Sequence, residues 1–265
     1  MEVIIEATLR NAEPLKLTIH GDHGSGKSTL LEKHGLYYNY ENGLRYINAQ
    51  QVDLIDKPLS ATTDTSRYIY KNAKELQKKH SCLVIDSLDF LQNTIHAEVC
   101  KEKNVKSISE IPYGAGYQIA MNHWREFLNS MEQLRQVGFN IVLICHSQII
   151  RVANPNLEEY DMFGLKLHKS ISAYIAEWSD FLGFVTDDVF TVQQSQKKFG
   201  ETKYKPSSSG KRLLKFGHNP SYASKARLRL PDEIDLNWEA FLSAVAEARA
   251  EGDNAKTVKT KTGAK

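Results

Sequence analysis

The 265-residue sequence predicts an α/β protein: a mostly parallel sheet flanked by helices, with antiparallel additions at one edge. Three observations carry this. Short apolar runs alternate with stretches of helical spacing through the first 150 residues; a glycine-rich turn closes the first run; past residue 180 strand-like pieces follow one another without intervening helices.

Taken in order, Leu15, Leu17 and Ile19 alternate with polar residues and read as a strand running into Gly21 to Thr29, which is expected to open a helix near Lys27. Leu36 to Tyr40 reads as a second strand, Ser66 to Lys79 as a helix, and Cys82 to Ile85 as a short buried strand ending in Asp86. Tyr117 to Val137 carries Ile119, Trp124, Phe127, Leu128, Met131 and Leu134 at helical spacing, stops near Gly138 and hands over to the apolar strand Ile141 to Cys145. Strands alternating with helices in this way pair in parallel. Phe181 to Thr186, Val189 to Gln193 and Leu213 to Gly217 are the expected antiparallel additions, and Trp238 to Ala250 a last helix. One domain, 1–251, is expected, followed by a disordered basic tail, 252–265, whose polar, lysine-rich residues bury too little to order themselves.

Composition bounds the function classes. A hydrophobic share of 41% with 25% charged residues is ordinary for a soluble globular chain, and a formal charge of +2 argues neither for nor against nucleic acid. Cys82, Cys100 and Cys145 lie far apart, which suggests no zinc site and no disulfide framework and fits a reducing cytoplasm. The N-terminus has no basic segment leading into an apolar run, and no stretch of about 18 apolar residues occurs, so neither secretion nor a membrane association is expected.

The strongest chemical signal is Gly21-Asp22-His23-Gly24-Ser25-Gly26-Lys27-Ser28-Thr29, which fits GxxxxGK[ST] between a predicted strand and a predicted helix. Such a P-loop wraps phosphates with backbone N–H groups, sends its lysine to the β- and γ-phosphates and offers a hydroxyl, here Ser28, to Mg²⁺. Asp86 emerges from a buried strand at the edge where open α/β sheets bind ligands, and is the second candidate for holding the metal. Hydrolysis needs a group that activates water. Glu41, just past the second strand, stands on the same edge and is the candidate general base. His146, ending the Ile141 to Cys145 strand, is the candidate γ-phosphate sensor, whereas Asp89 reads as a solvated turn residue.

Together these residues resemble the RecA superfamily: a P-loop, a glutamate after the second strand, a strand ending in Asp-Ser (Asp86-Ser87), and a polar sensor ending the next strand. Asn39 stands where an aspartate is usual, and His146 where a glutamine is usual. The chain further resembles short phage-encoded RecA-like ATPases of single-strand annealing and recombination, through Ile111-Pro112-Tyr113-Gly114-x-Gly116-Tyr117, Trp124, His146-Ser147, Lys225-Ala226-Arg227 and Leu230-Pro231. The resemblance implies ATP and Mg²⁺, DNA-stimulated ATP hydrolysis in the host-cell cytoplasm, a homo-oligomeric ring or filament on single-stranded DNA, and a single-strand DNA-binding protein as a further partner. It also implies that Arg227, with Lys225 on the same side of a strand, completes a neighbouring subunit's ATP site.

For DNA, the resemblance points to two long loops, Leu88 to Gly116 and Arg151 to Lys169. The stronger charge bias comes later: residues 191–230 hold ten Lys/Arg against the one acid Glu201, with Phe199, Tyr204, Phe216 and Tyr222 interleaved, as where bases stack and phosphates are neutralised. Lys197, Lys198, Lys211 and Arg212 are the DNA-binding candidates. Three other readings stay open: a ring-forming helicase-like motor, a P-loop kinase of small molecules, and an annealing adaptor that binds ATP without hydrolysing it.

Overall fold

The computed structural model describes residues 13–153, 158–194 and 203–261; the side chains of 189–194, 203–206 and 252–261 lie outside the description. Four strands make the centre of the sheet: β1 (Lys16–Gly21), β2 (Gly35–Asn39), β4 (Cys82–Asp86) and β5 (Asn140–Val152). Their side chains alternate between two apolar layers. Leu36, Tyr38, Leu83, Ile85, Ile141 and Leu143 face one core, whereas Leu17, Ile19, Tyr37, Val84, Val142 and Ile144 face the other. A strand buried on both faces reads as a continuous apolar run, as β4 and the first half of β5 do, whereas β1 buries the polar Thr18 and His20 between its apolar residues.

The first layer is covered by α1 (Leu59–Lys71), α3 (Leu88–Lys103), α4 (Ala115–Gln136) and α5 (Lys169–Trp178); the second by α6 (Trp238–Lys261), which buries Trp238, Phe241 and Val245. A four-residue α2 (Ala73–Leu76) follows α1. Beyond the central strands lie β3 (Gln50–Asp53) on one side and β7 (Phe181–Gln194), β8 (Lys203–Lys215) and β10 (Glu233–Asp235) on the other, giving the order β10-β8-β7-β1-β5-β4-β2-β3. Pairs from β7 through β3 are parallel; β8 and β10 are antiparallel additions at one edge. The short β6 (Tyr160–Leu165) and β9 (Lys225–Ala226) pair antiparallel to β5 and β7. The predicted fold class stands: a mostly parallel sheet flanked by helices with antiparallel strands at one edge.

Several element expectations are corrected. The helix after the P-loop is a single 3-10 turn, Thr29–Leu31, because the chain must re-enter the sheet at Gly35, where an added Cβ would lie 2.7 Å from Val84 and 3.1 Å from the Leu31 carbonyl. The helix expected over Ser66 to Lys79 starts at Leu59 and breaks at Asn72. Its early turns bury hydroxyls: Thr62 Oγ1 bonds Tyr40 Oη at 2.8 Å and Ser66 Oγ bonds Tyr38 Oη at 3.1 Å, so no apolar periodicity announces them. The expected loop Leu88 to Gly116 is mostly helix α3, held by Leu88, Leu91, Ile95 and Val99 at helical spacing. The expected loop Arg151 to Lys169 is largely the second half of a β5–β6 hairpin, and β7 runs unbroken past Asp187 through a bulge. Helix α6 starts at the expected Trp238; the tail predicted for 252–265 falls where side chains, and from 262 on the backbone, are outside the described residues.

Candidate active site

The parallel strands deliver four functional segments to one edge. β1 ends at Gly21 and leads into the P-loop, in register with His146 of β5; β4 ends at Asp86, in register with Asn39 of β2. The Tyr40 N–H donates to the Asp86 carbonyl at 2.7 Å, which brings Glu41 alongside Ser87. His23, Lys27, Ser28, Glu41, Asp86 and His146 thereby share one cleft of about 420 Å³.

Within it, Lys27 is buried and its ammonium folds back onto its own loop, donating to the carbonyls of Gly21 at 2.9 Å and Asp22 at 2.7 Å. Burial lowers its pKa, opposed by the Asp86 and Glu41 carboxylates. Tyr37, on β2, anchors the far end of the loop by donating to the Ser28 carbonyl at 2.6 Å. Gly24 and Gly26 take φ of +76° and +91°, a region open to glycine, which frees the loop to turn its N–H groups inward.

Asp86 is 1% exposed, and neither carboxylate oxygen has a hydrogen-bond partner among the described residues. Burial pushes its pKa up to about 6, while the nearby Ser28 hydroxyl, Lys27 and His146 restrain the rise. An anion left this bare calls for a cation. The Ser28 hydroxyl and Asp86 oxygens fit Mg²⁺, which prefers oxygen ligands and keeps much of its water.

Glu41 Oε2 accepts from Ser87 Oγ at 3.0 Å and lies 3.7 Å from His146 Nδ1. His146 is held mainly by Asp89: Nδ1 donates to its carboxylate at 3.0 Å, and the backbone N–H donates to Oδ1 at 3.3 Å. Because a carboxylate only accepts, this bond places the proton on Nδ1 and leaves Nε2 as an acceptor in the neutral ring. The His23 ring stacks on His146 with centroids 3.8 Å apart, and repulsion between the two rings when both are protonated lowers the His23 pKa.

A family model described as an AAA domain, AAA_24, matches residues 13–228. The chain belongs to the AAA_24 family. Membership in this group of ATPase-type P-loop domains implies a nucleotide ligand, usually with Mg²⁺. No curated protein matches the AAA_24 chain by sequence. Among solved structures, it is similar to the flagellar accessory protein FlaH from Methanocaldococcus jannaschii, with TM-score 0.40, 13% identity and 84% of each chain covered. It is also similar to the KaiC-like protein PH0186 from Pyrococcus horikoshii OT3, with TM-score 0.35, 16% identity, 77% of this chain and 79% of that one covered.

Not every residue singled out by sequence converges on the cleft of this AAA_24 domain. Lys225 and Arg227 do share a side, as their spacing predicts, but at the far end of the sheet. The Lys225 ammonium donates to the carbonyls of Ala176, Glu177 and Ser179 at 2.8–2.9 Å and so caps the C-terminus of α5 with all three of its protons. Arg227 is exposed; its Nε lies 3.3 Å from Asp180 Oδ1 and its Nη2 3.3 Å from the Glu177 carbonyl. Lys211 is exposed on β8, Arg212 borders the cleft of Lys27 and Asp86, and Lys197 and Lys198 lie outside the described residues.

Asp89 corrects the reading of a solvated turn. It is 5% exposed, shares the single Ser87 hydroxyl proton with Glu41 (Oγ to Oδ1 2.8 Å), accepts from His146, and has Lys166 Nζ 3.6 Å away. Burial alone would raise its pKa, but the His146 and Ser87 hydrogen bonds and the His146 charge bring it down to about 2. Its signal was positional: with Leu88, Leu91, Ile95 and Val99 recognised as a helix, Asp89 falls in the first turn, beside Asp86-Ser87. His20 was also missed. Burial lowers its pKa to about 4, and it donates from Nε2 to the Ala223 carbonyl at 2.8 Å while Nδ1 pairs with Ser147 Oγ at 2.9 Å, tying the P-loop strand to β5.

Proposed function

We propose that this protein is a Mg²⁺-dependent ATPase. The observation that supports it best is Asp86, a buried carboxylate with two unpartnered oxygens, facing a P-loop lysine and serine in the cleft that Glu41 enters. In this reading, Lys27 leaves the Gly21 and Asp22 carbonyls for the β- and γ-phosphates, and Glu41 takes the proton of an attacking water. The new bond joins water oxygen to the γ-phosphorus, the bridging bond to ADP breaks, and ADP leaves with its electron pair. Mg²⁺, held through Ser28 and Asp86, supplies charge neutralisation at the phosphate oxygens. His146, fixed by Asp89, would act as the polar group that reads the γ-phosphate.

Turnover is further proposed to serve single-stranded DNA in annealing or recombination, with the chain assembled as a ring or filament. Support comes from the RecA-like motifs and the basic bias of residues 191–230. Arg227 would have to leave Asp180 to reach a neighbour's phosphate, whereas Lys225 acts as a helix cap and supports that strand instead. The test is ATP turnover with and without single-stranded DNA, with sizing of the complex. Stimulated turnover in a large particle supports the reading; phosphate transfer to a small acceptor supports a kinase, and binding without turnover supports an adaptor.

A further inference from the structure

The cleft that holds Lys27 and Asp86 continues past Gly26 and Thr29 into a second hollow of about 250 Å³, backed by Leu30, Leu236 and Trp238. Arg212 stands on the wall of both. A Cβ built on Gly26 would lie 2.7 Å from Arg212 Nη1 and 3.2 Å from its Cδ, so the guanidinium rests directly against the P-loop at the residue before Lys27. The backbone beneath it is firmly placed: Arg212 pairs with Asp187 in the β7–β8 ladder, and the Leu236 N–H donates to its carbonyl at 2.8 Å. The side chain is not. It is 47% exposed, and its ionic neighbour among the described residues is Asp187 Oδ1, 3.8 Å from Nε.

Backbone N–H groups of a P-loop cradle the α- and β-phosphates, while the lysine reaches toward the γ end. A guanidinium lying over Gly26 therefore meets the α/β side. Its planar fork suits two phosphate oxygens at once, a match that a loose contact with a half-exposed carboxylate does not rival.

We propose that Arg212 is a nucleotide-binding residue acting within its own chain, gripping the α/β-phosphates of the bound nucleotide, and that Asp187 holds it when the site is empty. This rests on the nucleotide-binding reading of the cleft and adds a contact from the antiparallel edge that the P-loop motif does not include. Because ADP and ATP share those phosphates, the contact strengthens both complexes.

The test is titration of the full chain with Mg·ADP and Mg·ATP, alongside steady-state turnover. Arg212→Ala should weaken both nucleotides, about tenfold or more for a lost charge-assisted contact, and raise the KM for ATP in step. Arg212→Lys should recover part of the affinity, and Asp187→Asn, which frees the guanidinium, should tighten both complexes a few-fold. Unchanged dissociation constants in Arg212→Ala would overturn the proposal. So would a fall in kcat with ADP affinity intact, which would put the guanidinium at the γ-phosphate. A wild-type protein that binds neither nucleotide would instead sink the underlying reading, and circular dichroism with a urea midpoint confirms that each variant is folded.

Discussion

Replacing Asp86 with asparagine removes a charge that the empty fold holds at a cost. The ordinary aspartate pKa is 3.8 and that of folded Asp86 is about 6, raised chiefly by burial. Between those values the folded state binds more protons than the unfolded chain, so the stability contributed by the protonated form is fully present below pH 3.8 and lost as pH rises through 6. The gap corresponds to about 3 kcal/mol, with little solvent screening to discount at 1% exposure. Asparagine cannot ionise and escapes this loss. Relative to wild type, Asp86→Asn should therefore gain about 2–3 kcal/mol in stability between pH 4 and pH 7.5. His20, held neutral down to about pH 4, titrates in both proteins and cancels in the difference. The assay is urea unfolding of each protein at both pH values, without nucleotide or metal. In a second arm Mg·ADP should raise the midpoint of wild type much more than that of the variant. A stability difference that is the same at pH 4 and pH 7.5 would refute the reasoning, because it would mean that Asp86 is not held in an unfavourable charged state.

Four further perturbations address the same cleft and the basic segment. Lys27→Ala should leave the urea midpoint near wild type but abolish ATP turnover, measured by phosphate release; wild-type hydrolysis by the folded variant would exclude the P-loop as the phosphate site. Glu41→Gln should still bind nucleotide, while phosphate release slows by about 10²–10⁴-fold; an unchanged rate would make Glu41 an ordinary loop residue. Asp89→Ala leaves the buried His146 Nδ1–H without its acceptor and should lower stability by about 1–3 kcal/mol, read from urea unfolding; a change under about 0.5 kcal/mol would contradict the buried pairing. Gln at Lys197, Lys198 and Lys211 together should weaken single-stranded DNA binding and reduce the slope of log affinity against log salt by about 2, given about 0.7 per phosphate contact; a persistent slope would place the DNA surface elsewhere. Arg212 is left out of that set, since its place beside Gly26 would mix nucleotide and DNA effects.

What the sequence by itself determined was whatever depends on local spacing. GxxxxGK[ST] and the strand ahead of it specify a phosphate loop, because its glycine conformations and the lysine's reach are set within nine residues. The buried runs at Leu36–Tyr40, Cys82–Asp86 and Ile141–Cys145 required strands covered on both faces, and parallel pairing then sent Glu41, Asp86 and His146 to one edge. Elements whose burial is polar were illegible: Thr62 and Ser66 make a helix face only opposite the hydroxyls of Tyr38 and Tyr40, more than 20 residues away. Only the tertiary structure decided the partners that arrive from distant segments. Asp89 becomes a buried orienter of His146 because α3 packs under β5, Lys225 becomes a helix cap because β9 pairs with β7 beside the end of α5, and Arg212 reaches the P-loop because β8 folds back antiparallel along β7. In each case the charge was visible in the sequence, but its meaning depended on which opposite charge, carbonyl or phosphate loop the fold set within about 4 Å of it, and sequence spacing carries no such distance.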